Sequence, residues 1–225
     1  MNFFKTILLL IIIFLTSINT STFAHTFFHE DFETNTNKWS VVQLYGAENT
    51  WAVGSATAFS GNKSAYISND NAQSASYNPN IETIVSYQIP IDLSLCDEKP
   101  VLSFWWKCSG EPSGINDIGH IFINHQLLDI NEYFVSNSEW KYCEHQLDNL
   151  PDKKIVLKFQ WKNDGETGQN PAFCIDEIKI EGILLNGPVF TSESILNLAF
   201  HTLSNNYFLF RPRYFAPFLT KFFGH

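Results

Sequence analysis

Trp161-Lys-Asn-Asp-Gly-Glu-Thr-Gly-Gln-Asn-Pro-Ala-Phe-Cys-Ile-Asp-Glu-Ile-Lys-Ile-Glu181 couples a polar, glycine-containing loop to an apolar strand with Asp176 in its middle. A carboxylate inside such a strand is costly unless a cation or a set of hydrogen-bond donors meets it. N-terminal to it, Ser64–Ser68, Val85–Ile89, Val101–Cys108, His120–Asn124 and Ile155–Trp161 alternate apolar and polar residues, as does the short Ile178–Ile180. That period of two marks half-buried strands. Between them lie Asn69-Asp-Asn71, Ser109–Gly114 and Asn163–Gly168, all rich in turn formers. No segment from Phe27 to Gly182 carries a long helical period. The expected fold is therefore all-β, a two-sheet antiparallel jelly-roll sandwich followed by an irregular C-terminal tail.

Within Val101–Cys108 the alternation assigns faces. Leu102, Phe104, Trp106 and Cys108 share one side and are expected between the sheets, while Trp105 and Lys107 point away. Trp105 is thus the candidate ligand-binding aromatic. Trp39, Trp51, Trp140 and Trp161 sit at strand ends, where closing the core explains them.

The first residues read as an export signal. Lys5 precedes the apolar run Ile7–Leu15, and Thr22-Phe-Ala24 fits a small-residue cleavage site. The apolar run is shorter than the ~20 residues a membrane helix needs. We therefore expect a signal peptide over 1–24, a domain over 25–182 and an atypical apolar tail over 183–225. Ser192–Leu203 is a candidate short helix in that tail. The product would be secreted or displayed at the cell surface, with no membrane span once the signal is removed. Nothing in the pattern specifies an oligomeric state.

The chain carries 14 Lys+Arg against 23 Asp+Glu, a formal net charge of −9. Its basic residues are not clustered, which disfavours nucleic acid as a partner. Four cysteines, Cys96, Cys108, Cys143 and Cys174, all lie after the expected signal peptide. An even count in an exported chain favours disulfides, with three pairings open. Chain order favours Cys96 with Cys108 and Cys143 with Cys174; four buried thiols are the alternative. No Cys/His spacing suggests zinc, no His-Glu-x-x-His or Gly-x-Ser-x-Gly pattern is present, and no catalytic residues are assigned. His120 and His125 flank a strand and are expected to face solvent.

An ordered set of segments resembles the jelly-roll domains called choice-of-anchor J, related to the cleaved adhesin domains of gingipains and more distantly to MAM domains. The matching pieces are Phe28-His-Glu-Asp-Phe-Glu33 with Trp39, Trp51-Ala-Val-Gly54, Gly61–Asn71, Ile89–Ser94, Leu102–Glu111 and Trp161–Glu181. The resemblance covers Phe27 to about Gly182. It implies a non-catalytic accessory or adhesive module whose partner is an extracellular protein or glycan. It also implies Ca²⁺ where the first strand meets the last, with Glu30, Asp31 and Glu33 facing Asp176 or Glu177. Calcium takes six to eight oxygen ligands, so Asn69, Asp70 and Asn71 form a second candidate loop and Glu111 with Asp117 a third. Asp31, Asp70 and Asp164 are alternatively turn residues that bond their own backbone. Asp176 calls for either a metal or a network of donors.

The leading expectation is an exported, non-catalytic adhesion or binding module recognising a macromolecule or glycan at the cell surface, stabilised by Ca²⁺ and disulfides. The rival is a carbohydrate-binding module accessory to a secreted hydrolase, which needs an exposed aromatic row. A hydrolytic cleft is a third class, for which the sequence shows no constellation.

Overall fold

The computed structural model describes residues 24–34, 38–96, 99–111, 116–128 and 134–185. The expected signal peptide up to residue 23, the Ser192–Leu203 helix and nearly all of the tail lie outside them. Eleven strands follow in chain order: β1 Ala24–Glu30, β2 Ser40–Tyr45, β3 Thr50–Gly54, β4 Ser64–Ser68, β5 Thr83–Asp92, β6 Val101–Cys108, β7 Ile118–Ile123, β8 Gln126–Leu127, β9 Asn137–Gln146, β10 Lys154–Asn163 and β11 Cys174–Ile183. No helix occurs among the described residues. The strands form a six-stranded sheet, β3-β4-β11-β6-β9 with β1 also on β11, and a five-stranded sheet, β2-β5-β10-β7-β8. All pairings are antiparallel. The fold is the expected all-β, two-sheet sandwich.

The alternation read from the sequence sets which residues meet between the sheets. Leu102, Phe104, Trp106 and Cys108 of β6 are buried, as are Ile155, Leu157, Phe159 and Trp161 of β10. Phe104 meets Phe159 edge-on at 5.3 Å, and Phe134 and Phe173 extend the aromatic layer. Full burial of each such ring contributes about 1.5–3 kcal/mol. Trp51 and Trp161 are buried in this core and Trp39 packs against it, as expected. Trp140 differs: it lies half-buried on the outside of the six-stranded sheet.

Strand β11 changes partner along its length. Cys174 and Ile175 pair with β4, whereas Ile178 to Ile183 pair with β1 on the same side. At the change the β11–β6 register shifts between Asp176 and Lys179, and Glu177 takes a φ of 49°. The irregularity re-aims the strand, as a bulge does. Asp176 therefore sits at a break in the ladder rather than within a regular strand. The ladder reaches beyond the expected limits, from Ala24 opposite Ile183, with Leu184 bridging to Cys96.

The expected disulfides are a correction. All four cysteines are buried, with no disulfide between them. Cys96 bridges Leu184 beyond the Val101 end of β6, while Cys108 closes the other end. Seven strand steps at ~3.3 Å separate those ends, so the two cysteines lie roughly 20 Å or more apart. Cys143 is opposite Phe104 and Cys174 opposite Lys107, on different flanks and different faces of β6. A disulfide needs Cα atoms within about 7 Å and converging Cβ vectors. Neither favoured pairing meets that condition.

Candidate ligand-binding face

The outward residues of β6 and β9 build a half-exposed aromatic cluster. Trp105 lies directly opposite Tyr142, and their rings are 5.5 Å apart. Phe59, from the β3–β4 connection, stacks on Trp105 at 3.7 Å with planes 11° apart and meets Trp140 edge-on at 6.3 Å. The ammonium of Lys107 stands 5.0 Å over the Trp140 ring. Phe59 and Tyr142 remain 40% and 45% exposed, so this is not a sealed secondary core. Trp105 itself is partly covered by Phe59. It forms the base of the platform, and Phe59 and Tyr142 offer the open surface. The exposed aromatic row that the sequence could supply only with Trp105 is completed by Phe59, Trp140 and Tyr142. The signal for the last two was present: Trp140 and Tyr142 are two apart among polar residues, the spacing of one strand face.

Two carboxylates hold the loop that carries Phe59. Asp176, fully buried beneath it, accepts the backbone N–H groups of Phe59 at 2.8 Å and Ser60 at 3.1 Å on Oδ2. Its Oδ1 accepts the N–H of Glu177 at 2.8 Å. Burial raises the pKa of Asp176, and these three donors oppose the rise. Glu33 Oε1 accepts the N–H groups of Asn62 at 2.8 Å and Lys63 at 2.7 Å, which lower its pKa. Gly61 turns between them at φ 64°, where a Cβ would stand 2.5 Å from Glu33 Oε1. Ser64 Oγ donates to the Thr57 carbonyl at 2.6 Å, and Ala56 N–H donates to the Tyr66 hydroxyl at 3.3 Å. This loop and the turn at Asp70–Ser74, whose Ala72 carbonyl accepts the Tyr66 hydroxyl at 2.8 Å and whose Asp70 accepts Ser68 Oγ–H, together cover the outward side of β4, whose five residues are all buried.

The expected calcium ligands do not come together. Glu33 and Asp176 do not oppose each other across a cation; they grip the same loop at different points. Glu30 accepts Phe32 N–H at 2.9 Å and Trp39 Nε1–H at 3.0 Å. Asp31 accepts Glu33 N–H at 3.1 Å, and Asp164 accepts Glu166 N–H at 3.1 Å, both as turn residues. Asp70 accepts Ser68 Oγ–H at 2.7 Å, Ser74 N–H at 2.9 Å and Ser74 Oγ–H at 2.6 Å. Those bonds hold its pKa down at about 2. Glu177 pairs with His29 at 3.0 Å and Lys179 at 3.1 Å. Calcium needs lone pairs converging on one point, and here N–H and O–H donors occupy them. Among the described residues no group of three or more His, Cys, Asp or Glu is placed to hold a metal. The residues present do not fit a calcium cage.

The third candidate pair is brought close. Asp117, fully buried, accepts the Tyr77 hydroxyl and, at 3.4 Å, Asp164 N–H. Desolvation pushes its pKa up to about 6, with Asp164 and Glu111 adding smaller upward contributions. Glu111 Oε2 is buried and has no hydrogen-bond partner among the described residues. His120 faces outward from β7, half-buried rather than free in solvent, and His125 is exposed in the β7–β8 turn.

No family model matches the chain, and no curated protein matches it in sequence. Among solved structures it is similar to the CBM22-1 xylan-binding domain of Xyn10C from Paenibacillus barcinonensis, at 12% identity and a TM-score of 0.47, covering 75% of this chain and 100% of that one. The K3 cleaved adhesin domain of Lys-gingipain from Porphyromonas gingivalis is similar at 13% identity and a TM-score of 0.44, covering 69% and 99%. The module TmCBM61, solved with β-1,4-galactotriose, is similar at 12% identity and a TM-score of 0.41, covering 67% and 92%. At this level of likeness no residue of one chain can be laid on a residue of another.

Proposed function

We propose that this chain is an exported, non-catalytic binding module that recognises a glycan on an extracellular surface through the Phe59–Trp105–Trp140–Tyr142 face. The observation that carries the reading is the aromatic cluster itself. Core packing does not require four rings on the outside of a sheet, yet two of them stay 40–45% exposed. Flat rings on a rigid sheet offer stacking area to the apolar faces of sugar rings, at little cost in side-chain entropy. The export-like N-terminus and the ordered resemblance to choice-of-anchor J and cleaved adhesin domains support a secreted or surface-displayed accessory role. A module accessory to a secreted hydrolase would use the same face.

Affinity electrophoresis against a panel of neutral polysaccharides tests the reading. Retention by at least one is expected, and Tyr142→Ala or Phe59→Ala should each weaken it about two- to tenfold, the equivalent of ~0.5–1.5 kcal/mol per aromatic contact. Unchanged retention in a Phe59→Ala/Tyr142→Ala double variant that melts like the wild type overturns it.

A further inference from the structure

We propose that the outward face of the five-stranded sheet is a second and separate ligand site, which binds polysaccharide carrying carboxylate or sulfate groups. The inference is independent of the aromatic face, because it rests on the opposite sheet and on charge.

The alternation of β10 turns Lys154, Val156, Lys158, Gln160 and Lys162 outward while Ile155, Leu157, Phe159 and Trp161 fill the core. Lys154 lies opposite Asp92, the one carboxylate among the outward positions of β5, β7 and β10. Lys158 and Lys162 have no such neighbour: among the described residues no carboxylate bonds either. They stand four strand positions apart, roughly 13 Å along the face. In a chain with a net charge of −9, a central strip with two unpaired lysines is a segregated positive patch. Burial, and then Lys162, lower the pKa of His120, so at pH 7 the lysines carry the positive charge here.

Between the lysines the face is polar and built in register. Gln160 is opposite Ser86 on one side and His120 on the other, and Lys158 is opposite Gln88 and Phe122. Gln160 Nε2 donates to Ser86 Oγ at 3.1 Å. The Lys158 ammonium lies 4.1 Å over the Phe122 ring, which holds it down along the sheet rather than loose in solvent. Side-chain amides both donate and accept, which suits hydroxyl groups spaced along a sugar chain. The lysines supply the charge complement for its acidic groups. An acidic protein partner would instead call for buried aromatic or arginine anchors. A nucleic acid would meet too few cations on a strongly acidic molecule.

The test measures binding of the full chain to polygalacturonate, dextran sulfate, unsubstituted dextran and polyglutamate at 50 and 200 mM salt. Binding to polygalacturonate, dextran sulfate or both is expected, weakening with salt, and the two polymers separate carboxylate from sulfate as the recognised group. Lys158→Gln/Lys162→Gln should weaken it at least tenfold. The single exposed change Lys162→Glu should weaken it too, and serves if the double variant melts early. Equal binding to polyglutamate would overturn selection of a glycan. No affinity for either anionic polysaccharide, or affinity unaltered by the lysine variants, would overturn the site. Loss through Trp140→Ala but not through the lysines would assign all glycan binding to the aromatic face.

Discussion

Replacing Asp176 by Asn tests what holds the Phe59 loop. Asp176 is fully buried and accepts three backbone N–H groups, from Phe59, Ser60 and Glu177. The amide keeps one acceptor oxygen and turns the other position into a donor. If the oxygen stays on the Phe59 and Ser60 side, the new NH₂ faces Glu177 N–H; if it flips, two loop donors are stranded. A hydrogen bond to a charged group contributes about 1.5–3 kcal/mol, and a stranded buried donor costs about 1–3 kcal/mol. Relief of the carboxylate's own desolvation offsets part of this, leaving a net loss of about 2–4 kcal/mol. For a domain of this size that lowers Tm by roughly 4–15 °C. The assay is thermal unfolding by circular dichroism, run with and without EDTA in metal-free buffer. Wild-type and variant Tm should be indifferent to EDTA, because N–H donors and not a cation satisfy this carboxylate. Tryptophan emission should also change in the variant, since Phe59 is no longer pinned on Trp105. A wild-type Tm that falls on chelation, or a variant within 1 °C of wild type, would refute the reasoning.

Asp117 carries a pH signature of the opposite kind from a salt-bridged carboxylate. Its folded pKa of about 6 lies above its reference value of 3.8, so the folded state holds the proton more tightly. Stability from this group is complete below about pH 4 and is lost as pH rises through about 6. Asp117→Asn should therefore shrink the drop in Tm between pH 5 and pH 7 relative to wild type; an identical drop in both proteins would count against it. The four cysteines should resist a thiol reagent in the native protein and all react after denaturation. Burial raises the pKa of Cys108 and pushes Cys174 up to about 12, and a native chain with no titratable thiols even when unfolded would show that disulfides exist. Phe104→Ala opens the centre of the aromatic layer and should cost about 3–5 kcal/mol in urea unfolding; a loss under 1 kcal/mol would place Phe104 outside the core.

Much of the fold was legible because a strand repeats every two residues, and burial on one face imprints that period on the chain. Val101–Cys108 showed which side of β6 faces the core, and β4 and β6 have the limits their alternation suggested. β9 was missed: at the edge of its sheet, with Cys143 its one buried residue, its period shows only in the pair Trp140 and Tyr142. The turn roles of Asp31, Asp70 and Asp164 were likewise readable, since an aspartate bonding its own backbone two to four residues on is a local matter. The fate of Asp176 was not. The sequence demanded donors or a metal, and the donors come from residues 116 and 117 positions away. Cysteine pairing and the aromatic face failed to show for the same reason. Chain order does not state which strand flanks which, and Phe59 sits in a loop with no period at all. Alternation thus determined the sandwich and the orientation of each side chain on its strand. Only the tertiary pairing decided which distant residues share a face, because strand order, and the loop that β11 anchors where it changes partner, depend on contacts no local pattern encodes.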